Sequence, residues 1–534
     1  MPSSPPVLVA GAGPSGLVTA LTLLRNGIPV RIISKEDTPR LGQRGPGIQP
    51  RTLELFHFLD VPQVLQTASV RIPIRTHEAG KLEADKTFYM SPYTEPTPAI
   101  PYYNPVTLGQ QTLEGILHAR LGEYGCHVES GTELRSFEQD GERVVAQIVR
   151  RVNGEEVSET VDASFLVGAD GAKGITRKHL GLPFLGETRD DFRLIQGDIR
   201  MVASEIERDH WHWFGTFGTN MVMLRQTNEI GPDGFHFVLS SKEDYDVTKM
   251  ANDTDLLMRC MCEITGAKLQ LIELRWSSEY RPNVRMVDKF GAGRVFLVGG
   301  TLFCLALWKQ PLPSNPVLDA AHVHSFTGGQ GLNTSVQDAL NIAWKIALVY
   351  KGLSSPELLE TYSAERIPVI TEMLGLTTEL LNKATRSDQS SMQDALTRGK
   401  RLYMLGVNYR HSPIVVDEFS EPGPLNAYGD YHTVLLFGSD DGFVQSVVSG
   451  LKQYDERVIR TVVIVASSSA AMIPRGVVDE VLYDQEGHAH VAYVVESGQT
   501  RAVIVRPDGV VGAIVQGMKG VHKYFGKLFR SSPP

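Results

Sequence analysis

Cysteine is scarce: four in 534 residues, Cys126, Cys260, Cys262 and Cys304. They are too few and too irregularly spaced for a disulfide framework or a zinc site, so we expect no metal and a reducing, cytoplasmic setting. No apolar run reaches bilayer-spanning length, and the start, Met1-Pro-Ser-Ser-Pro-Pro6, has neither the basic nor the apolar segment of a secretory leader. We therefore expect no membrane segment. Lysine and arginine form no long cluster, and a formal net charge of −9 argues against a nucleic-acid partner. There is no internal repeat and no long low-complexity segment. What is present is a globular composition, 42% hydrophobic and 21% charged, in a chain long enough for more than one domain.

Two glycine-rich turns organise that chain. The first follows an apolar run, Val7 to Ala10: Gly11-Ala-Gly13-Pro-Ser-Gly16, then Leu17 to Arg25 with helical periodicity, then a second strand, Val30 to Ile33. Such glycines permit the turn, close approach of a diphosphate and tight helix packing, while the helix N-terminus supplies amides to an anion. In this context the unit reads as a dinucleotide site rather than as simple strand-helix packing. Where an acid usually takes the ribose at the end of the second strand stand Ser34-Lys35-Glu36. Ser34 can bond a hydroxyl, or Glu36, on the same strand face, can reach back.

The second turn lies in Asp319-Ala-Ala-His322 to Gln330-Gly331-Leu332-Asn333, after the apolar run Arg294 to Gly299 and before a helical pattern through Ala347. An acid there can hold a sugar hydroxyl. The glycines let backbone amides near Leu332 and Asn333 close on a planar cofactor that becomes anionic when reduced.

With Gly42-Gln-Arg44-Gly, Leu108-Gly-Gln110-Gln111 and Phe165-Leu-Val-Gly-Ala-Asp170-Gly171 to Arg177, these stretches resemble the signatures of the para-hydroxybenzoate hydroxylase-like flavin monooxygenases, in the family's order. The resemblance covers essentially the whole chain. It implies an α/β fold: a Rossmann-like FAD-binding domain, discontinuous over 1–185 and 285–375 with an excursion at 73–103, and an interleaved β-sheet substrate domain over 186–284. A helical connector, 376–425, and a thioredoxin-like domain without cysteines, 426–534, would follow, as in the phenol hydroxylase branch. Lacking a thiol, that last domain is left with support or homodimerisation.

The resemblance further implies FAD as cofactor, NAD(P)H as co-substrate, and hydroxylation by O2 of a phenolic aromatic, such as a secondary metabolite. FAD would be held by Gly11, Gly13 and Gly16, by Arg44 on the diphosphate, by Gln110 or its neighbour Gln111 on the ribityl chain, and by Asp170, Asp319, Gly331, Leu332 and Asn333. Gly174 stands where the family has a serine, and Phe326 where it often has a proline. Epoxidation or oxygen insertion beside a ketone is the rival chemistry.

The resemblance also extends to Leu358 to Pro368, to Leu405 to Pro413 and, with strands at Thr433–Gly438, Val458–Ala466 and Arg501–Arg506 and helices near 443–453 and 520–529, to the turn Arg506-Pro-Asp-Gly509. In His210-Trp211-His212-Trp213-Phe214, strand alternation puts the tryptophans on one face and the histidines on the other. Either His212 takes a phenolic proton in an aromatic pocket, or the tryptophans are core and the histidines lie behind them. Tyr280 is the second candidate, with Arg225 and Arg281 behind it, and no catalytic base is assigned.

Residues 300–318 match nothing in the family pattern and part Gly299 from Asp319, which adjoin in the family. Three prolines suit a surface loop, but Leu302-Phe-Cys-Leu-Ala-Leu-Trp308 does not. The alternative is translated intron. The segment is a whole number of codons, Gly300-Thr301 can encode a splice donor and Leu318-Asp319 an acceptor, and joining the flanks restores Val-Gly-Asp. A flavin-free, inactive protein is then the alternative for the chain as written.

Overall fold

Val7–Ala10 (β1) is buried at every residue, as a central parallel strand of apolar side chains must be. Helix α1 (Pro14–Arg25) begins on the proline that suits a first helical position, and β2 (Val30–Ile33) returns parallel to β1. The computed structural model describes all residues except 1–3, 71, 153–154, 172–173, 189–192, 218, 242–245, 281–282, 300–321, 324–328, 385–396, 398, 420–431, 439, 467–477, 497 and 530–534. Asp319, Phe326, Arg281 and the segment 300–318 therefore lie outside the described residues.

Strands β3 (Ile74–His77) and β4 (Ala84–Phe88) leave the first sheet for a second one. Helix α2 (Gln110–Glu123) then packs against α1, and β5 (Phe165–Gly168) pairs in parallel with β1 ahead of the short helix α3 (Ile175–His179). Next, β6 (Leu194–Val202), β7 (Trp211–Gly215), β8 (Met221–Gln226), β9 (Gly234–Ser240) and β10 (Gln270–Tyr280) join β3 and β4 in a seven-stranded sheet of order β10-β6-β9-β8-β7-β3-β4. Helix α4 (Thr254–Thr265), capped by the Asp253 side chain and closed by Gly266 in the left-handed region, covers one face through Leu257, Met261 and Ile264.

The chain then re-enters the first sheet as β11 (Gly291–Ala292) and β12 (Val295–Leu297), giving the order β11-β12-β5-β1-β2. Helix α5 (Gly331–Tyr350) is buried over most of its length against α1. Helix α6 (Glu357–Ala384) runs on through Pro368 and past position 375, where the sequence reading set a boundary. Beyond it, β13 (Val416–Asp417), β14 (His432–Phe437), helix α7 (Asp441–Leu451), β15 (Ile459–Ala466), β16 (Glu480–Asp484), β17 (Arg501–Val505), β18 (Val511–Val515) and helix α8 (Met518–Leu528) form a third layer with sheet order β13-β18-β17-β14-β15-β16. Strands β16 and β18 were not legible in the sequence: the first is a largely exposed edge, and the second is short and interrupted by glycine. Among the described residues no helix is long and apolar enough to cross a membrane.

Candidate functional site

A cavity of about 590 Å3 lies between the first sheet and the seven-stranded sheet. One side is made by the turn after β1, the end of β2, the loop around Arg44, the start of α2, Asp170 and the start of α5. The other is made by Gln196, Trp211, Trp213, Met223, His236 and Val238 of the large sheet. Gly11, Gly13, Ser34, Glu36, Arg44, Gln110, Asp170, Gly331 and Leu332 all reach it, from segments far apart in sequence.

The glycines of the first turn have different physical reasons. A Cβ on Gly11 would lie 2.2 Å from the Ala169 carbonyl oxygen, and one on Gly16 would lie 1.9 Å from the Gly11 oxygen. Those two residues let β1, α1 and β5 pack, and Gly16 does not line the cavity. Around Gly13 no atom of the described residues beyond its chain neighbours lies within 4 Å of such a Cβ, and Gly13 lines the cavity. At the other turn, Thr334 N–H makes the first intrahelical bond of α5, to the Gln330 carbonyl at 2.8 Å. The amides of residues 331–333 therefore precede the helical ladder at its positive end. The Asn333 side chain is buried and occupied: Oδ1 accepts from Gln49 N–H at 2.8 Å, and Nδ2 donates to the Gly47 and Gly329 carbonyls at 2.9 and 2.7 Å. Its side chain ties the loop before α5 to the Arg44 segment, and only its backbone amide is free to serve a ligand.

Asp170 Oδ2 accepts from the Thr176 N–H and hydroxyl, both at 2.9 Å, while Oδ1 is buried with no partner among the described residues. Burial pushes this carboxyl up against the lowering effect of those bonds. A Cβ at Gly174 would fall 2.2 Å from Asp170 Oδ1, so glycine in place of the family's serine is what lets the carboxylate fold over onto Thr176. Arg177 donates to the Leu182 carbonyl at 3.3 Å and lies over the Phe184 ring at 4.9 Å.

Arg44 has a left-handed backbone, φ 49°, uncommon for a side-chain-bearing residue and frequent at ligand sites. Its guanidinium lies 5.1 Å from the Trp276 ring centroid, a packing partner the sequence did not reveal. The structure also separates the two glutamines. Gln110 lines the cavity and donates to Glu114 at 2.7 Å, whose carboxyl is pushed up by burial. Gln111 turns away and accepts from Gly42 N–H at 3.1 Å, steadying the Arg44 loop. Ser34 and Glu36 both border the cavity: the serine oxygen accepts from Glu36 N–H at 3.3 Å, and Glu36 is paired with Arg40 at 3.2 Å.

The two catalytic candidates are not brought to the cavity. On β7 it is Trp211 and Trp213 that face the cavity. His212 points to the other side of the sheet, where Nδ1 lies 2.9 Å from His77 Nε2 and Nε2 lies 2.8 Å from the Glu207 carbonyl, and burial pushes it down to about 4. A strand with aromatic rings on both faces carries no local signal for which face is covered. Tyr280 is 1% exposed and packs with Leu194, Trp213 and Met221.

In their place the structure presents Asp198 and His236, which the sequence reading passed over. Asp198 Oδ1 is 2.8 Å from His236 Nδ1, and Oδ2 accepts from Gln43 N–H at 2.8 Å. Arg225, beside His236, donates to Gln43 Oε1; burial lowers its pKa to about 10, which leaves it charged at neutral pH. The available signal was a histidine and an aspartate inside otherwise apolar strands, Gly234-Phe-His-Phe-Val and Leu194-Ile-Gln-Gly-Asp-Ile, where a polar side chain needs a buried partner.

A family model described as FAD binding domain matches residues 4–304 and 317–377, leaving out the centre of the segment set apart in the sequence. The chain is similar to a flavin-dependent monooxygenase of Mycobacteroides abscessus, 32% identical over 98% of this chain and 99% of that one. It is also similar to 6-methylpretetramide 4-monooxygenase of Streptomyces rimosus, 32% identical over 70% of this chain and 61% of the relative. Among solved structures it resembles the flavin-dependent monooxygenase PieE in complex with FAD and substrate (TM-score 0.76, 19% identity, 98% and 99% covered). It likewise resembles aklavinone-11 hydroxylase with FAD and aklavinone (TM-score 0.73, 21% identity, 98% and 100% covered).

Proposed function

The chain belongs to the FAD-binding family of flavin-dependent monooxygenases, and from that premise we propose that it hydroxylates a phenolic aromatic compound with O2, using NAD(P)H as reductant. The observation that carries this reading is the two-sided cavity: glycine turns and a helix N-terminus on one side, and a sheet bearing Trp211, Trp213 and a polar row on the other. The residues fit FAD. The space at Gly13 is open to the cavity, Asp170 Oδ1 is a buried acceptor at its rim with no partner among the described residues, and the first amides of α5 precede the helical ladder.

When bound, FAD supplies the redox chemistry, accepting electrons from the nicotinamide and activating O2. The chain's own part is to hold and surround it. Gly11, Gly13 and the start of α1 take the diphosphate, together with Arg44. Ser34 or Glu36 takes the ribose, Gln110 the ribityl chain, and Asp170 and Asp319 complete the set. The amides of residues 331–333 favour negative charge on the ring edge they face. Trp211, Trp213 and Val238 shape an apolar bed for a planar substrate and exclude water from it.

We further read 1–185 with 285–375 as the cofactor domain, 186–284 as the substrate domain, 376–425 as a connector and 426–534 as a thioredoxin-like unit that supports or dimerises the protein. Purified protein should carry flavin absorbance. Phenols should accelerate NAD(P)H oxidation with formation of hydroxylated product, and ketones should not. Stimulation by ketones with ester products would overturn the phenol reading, and absence of bound flavin would overturn the whole of it.

A further inference from the structure

One row of side chains crosses the large sheet and reaches the cavity at His236 and Trp211. Trp276 on β10 is opposite Asp198 on β6, Asp198 opposite His236 on β9, His236 opposite Arg225 on β8, and Arg225 opposite Trp211 on β7. Directly opposed residues in antiparallel strands share a face, and Trp211 and His236 show that this face lines the cavity. An ionised aspartate can only accept, so the Asp198 contact places the proton of a neutral His236 on Nδ1. That leaves Nε2, which makes no hydrogen bond among the described residues, as a lone-pair acceptor in a side chain that borders the cavity.

We propose that His236, oriented by Asp198, is the group that takes the phenolic proton of the substrate, an assignment that rests on the phenol reading above. The substrate O–H bond breaks, its electron pair stays on oxygen, and the proton forms an N–H bond at His236 Nε2. Nothing is oxidised or reduced in this step. The resulting imidazolium faces the Asp198 carboxylate, so the pair carries no net charge, while the Arg225 guanidinium on the neighbouring strand favours the phenolate oxygen. Glu229, whose charge acts on Arg225, and the neutral Gln43 are further polar groups beside Arg225, and Gln196 also lines the cavity. A phenolate pushes electron density into the ring, and hydroxylation needs that density. Asp198 is a positioning residue here, and it has a second role, because its other oxygen holds the Gln43 amide next to Arg44.

The test uses the FAD-loaded full chain and a panel of hydroxyanthraquinones and hydroxynaphthalenes, whose ionised forms absorb in the visible. The native protein should bind a panel member as its phenolate at a pH where the free compound is protonated. His236→Gln should retain FAD, bind the same compound in its neutral form, and hydroxylate it about 100-fold more slowly or worse. Raising the pH until the phenol ionises in solution should restore rate. Should His236→Gln fold poorly, as judged by its FAD content, His236→Asn gives the same readings. A phenolate band that persists in the variants overturns the assignment of His236 alone. If no phenol binds the native protein, the phenol reading falls first and this assignment with it.

Discussion

Two buried groups of charges, one where α5 and α6 meet the C-terminal layer and one beside the cavity, differ in how completely they are paired. At the junction with the C-terminal layer, Glu365 of α6 receives both Arg506 nitrogens at 2.8 Å, Lys345 at 2.8 Å, Asn341 at 2.8 Å and the Ser412 hydroxyl at 2.7 Å. Asp508 takes the Trp344 indole N–H at 3.2 Å and Arg506 at 2.6 Å, and its carbonyl accepts from Arg51 at 2.8 Å. The Glu365, Lys345 and Arg506 side chains have no exposed surface. At the cavity, by contrast, Asp198, His236, Arg225 and Gln43 are as deeply buried, yet Gln43 Nε2 and Arg225 Nε have no partner among the described residues. A buried polar network is stable when every member is satisfied and costly when one is not. The closed group can only join layers, whereas the open one has capacity that a bound molecule can fill.

The sharpest way to break that contrast is Glu365→Gln. It removes the carboxylate that Arg506 and Lys345 share, leaving Arg506 only Asp508, and should cost about 3–5 kcal/mol, seen as a lower denaturant midpoint. Burial alone would raise the Glu365 carboxyl, but the Arg506 and Lys345 charges overcome that and hold it far below its ordinary 4.5. With the folded value depressed, the stabilisation is fully present above 4.5 and is lost only as pH falls through the folded value. The stability gap between native protein and Glu365→Gln should therefore persist to pH 5 and close only in stronger acid. A gap that closes near neutrality would mean the cluster is not paired as described.

A smaller effect is expected at the open group. Asp198→Asn weakens the hold on His236 and on the Gln43 amide and should cost about 1.5–3 kcal/mol. Its loss of FAD affinity, read by flavin fluorescence, should exceed that of Glu365→Gln. Weaker again, Trp276→Leu removes the ring under Arg44, about 0.5–2 kcal/mol, and, where that loss falls on cofactor binding, should raise the FAD Kd by about 2- to 30-fold. The smallest effect is expected from deleting residues 300–318. FAD content should be preserved or improved, and loss of flavin would show that the segment is needed; a transcript retaining those codons as its dominant form would refute the intron reading.

Chain segments whose information is local were legible. Turn glycines at 11, 13 and 16, the apolar run of β1 and the periodicity of α1 mark a strand-turn-helix unit by themselves, because turn geometry and helical period act within a few residues. The same holds for the strands at 432–437, 459–466 and 501–505, which were recognised to within a residue or two. The motif from Leu358 to Pro368 was recognised as a pattern, but its reason was not. Glu365 and Arg506 meet across 141 positions, and the turn Arg506 to Gly509, which looks like an ordinary hairpin connection, is the plug that enters the first layer.

By itself, then, the sequence determined that a dinucleotide-type turn opens the chain, that aromatic residues alternate along residues 210–214, and that no thiol lies beyond Cys304. Only the tertiary structure decided that the tryptophans of that strand face the cavity, that Gln110 and not Gln111 reaches it, and that Asp198 meets His236 across 38 positions. The physical reason is that alternation says which side chains share a face but not which face is covered. That is set by the layer packed against the strand, whose residues come from elsewhere in the chain.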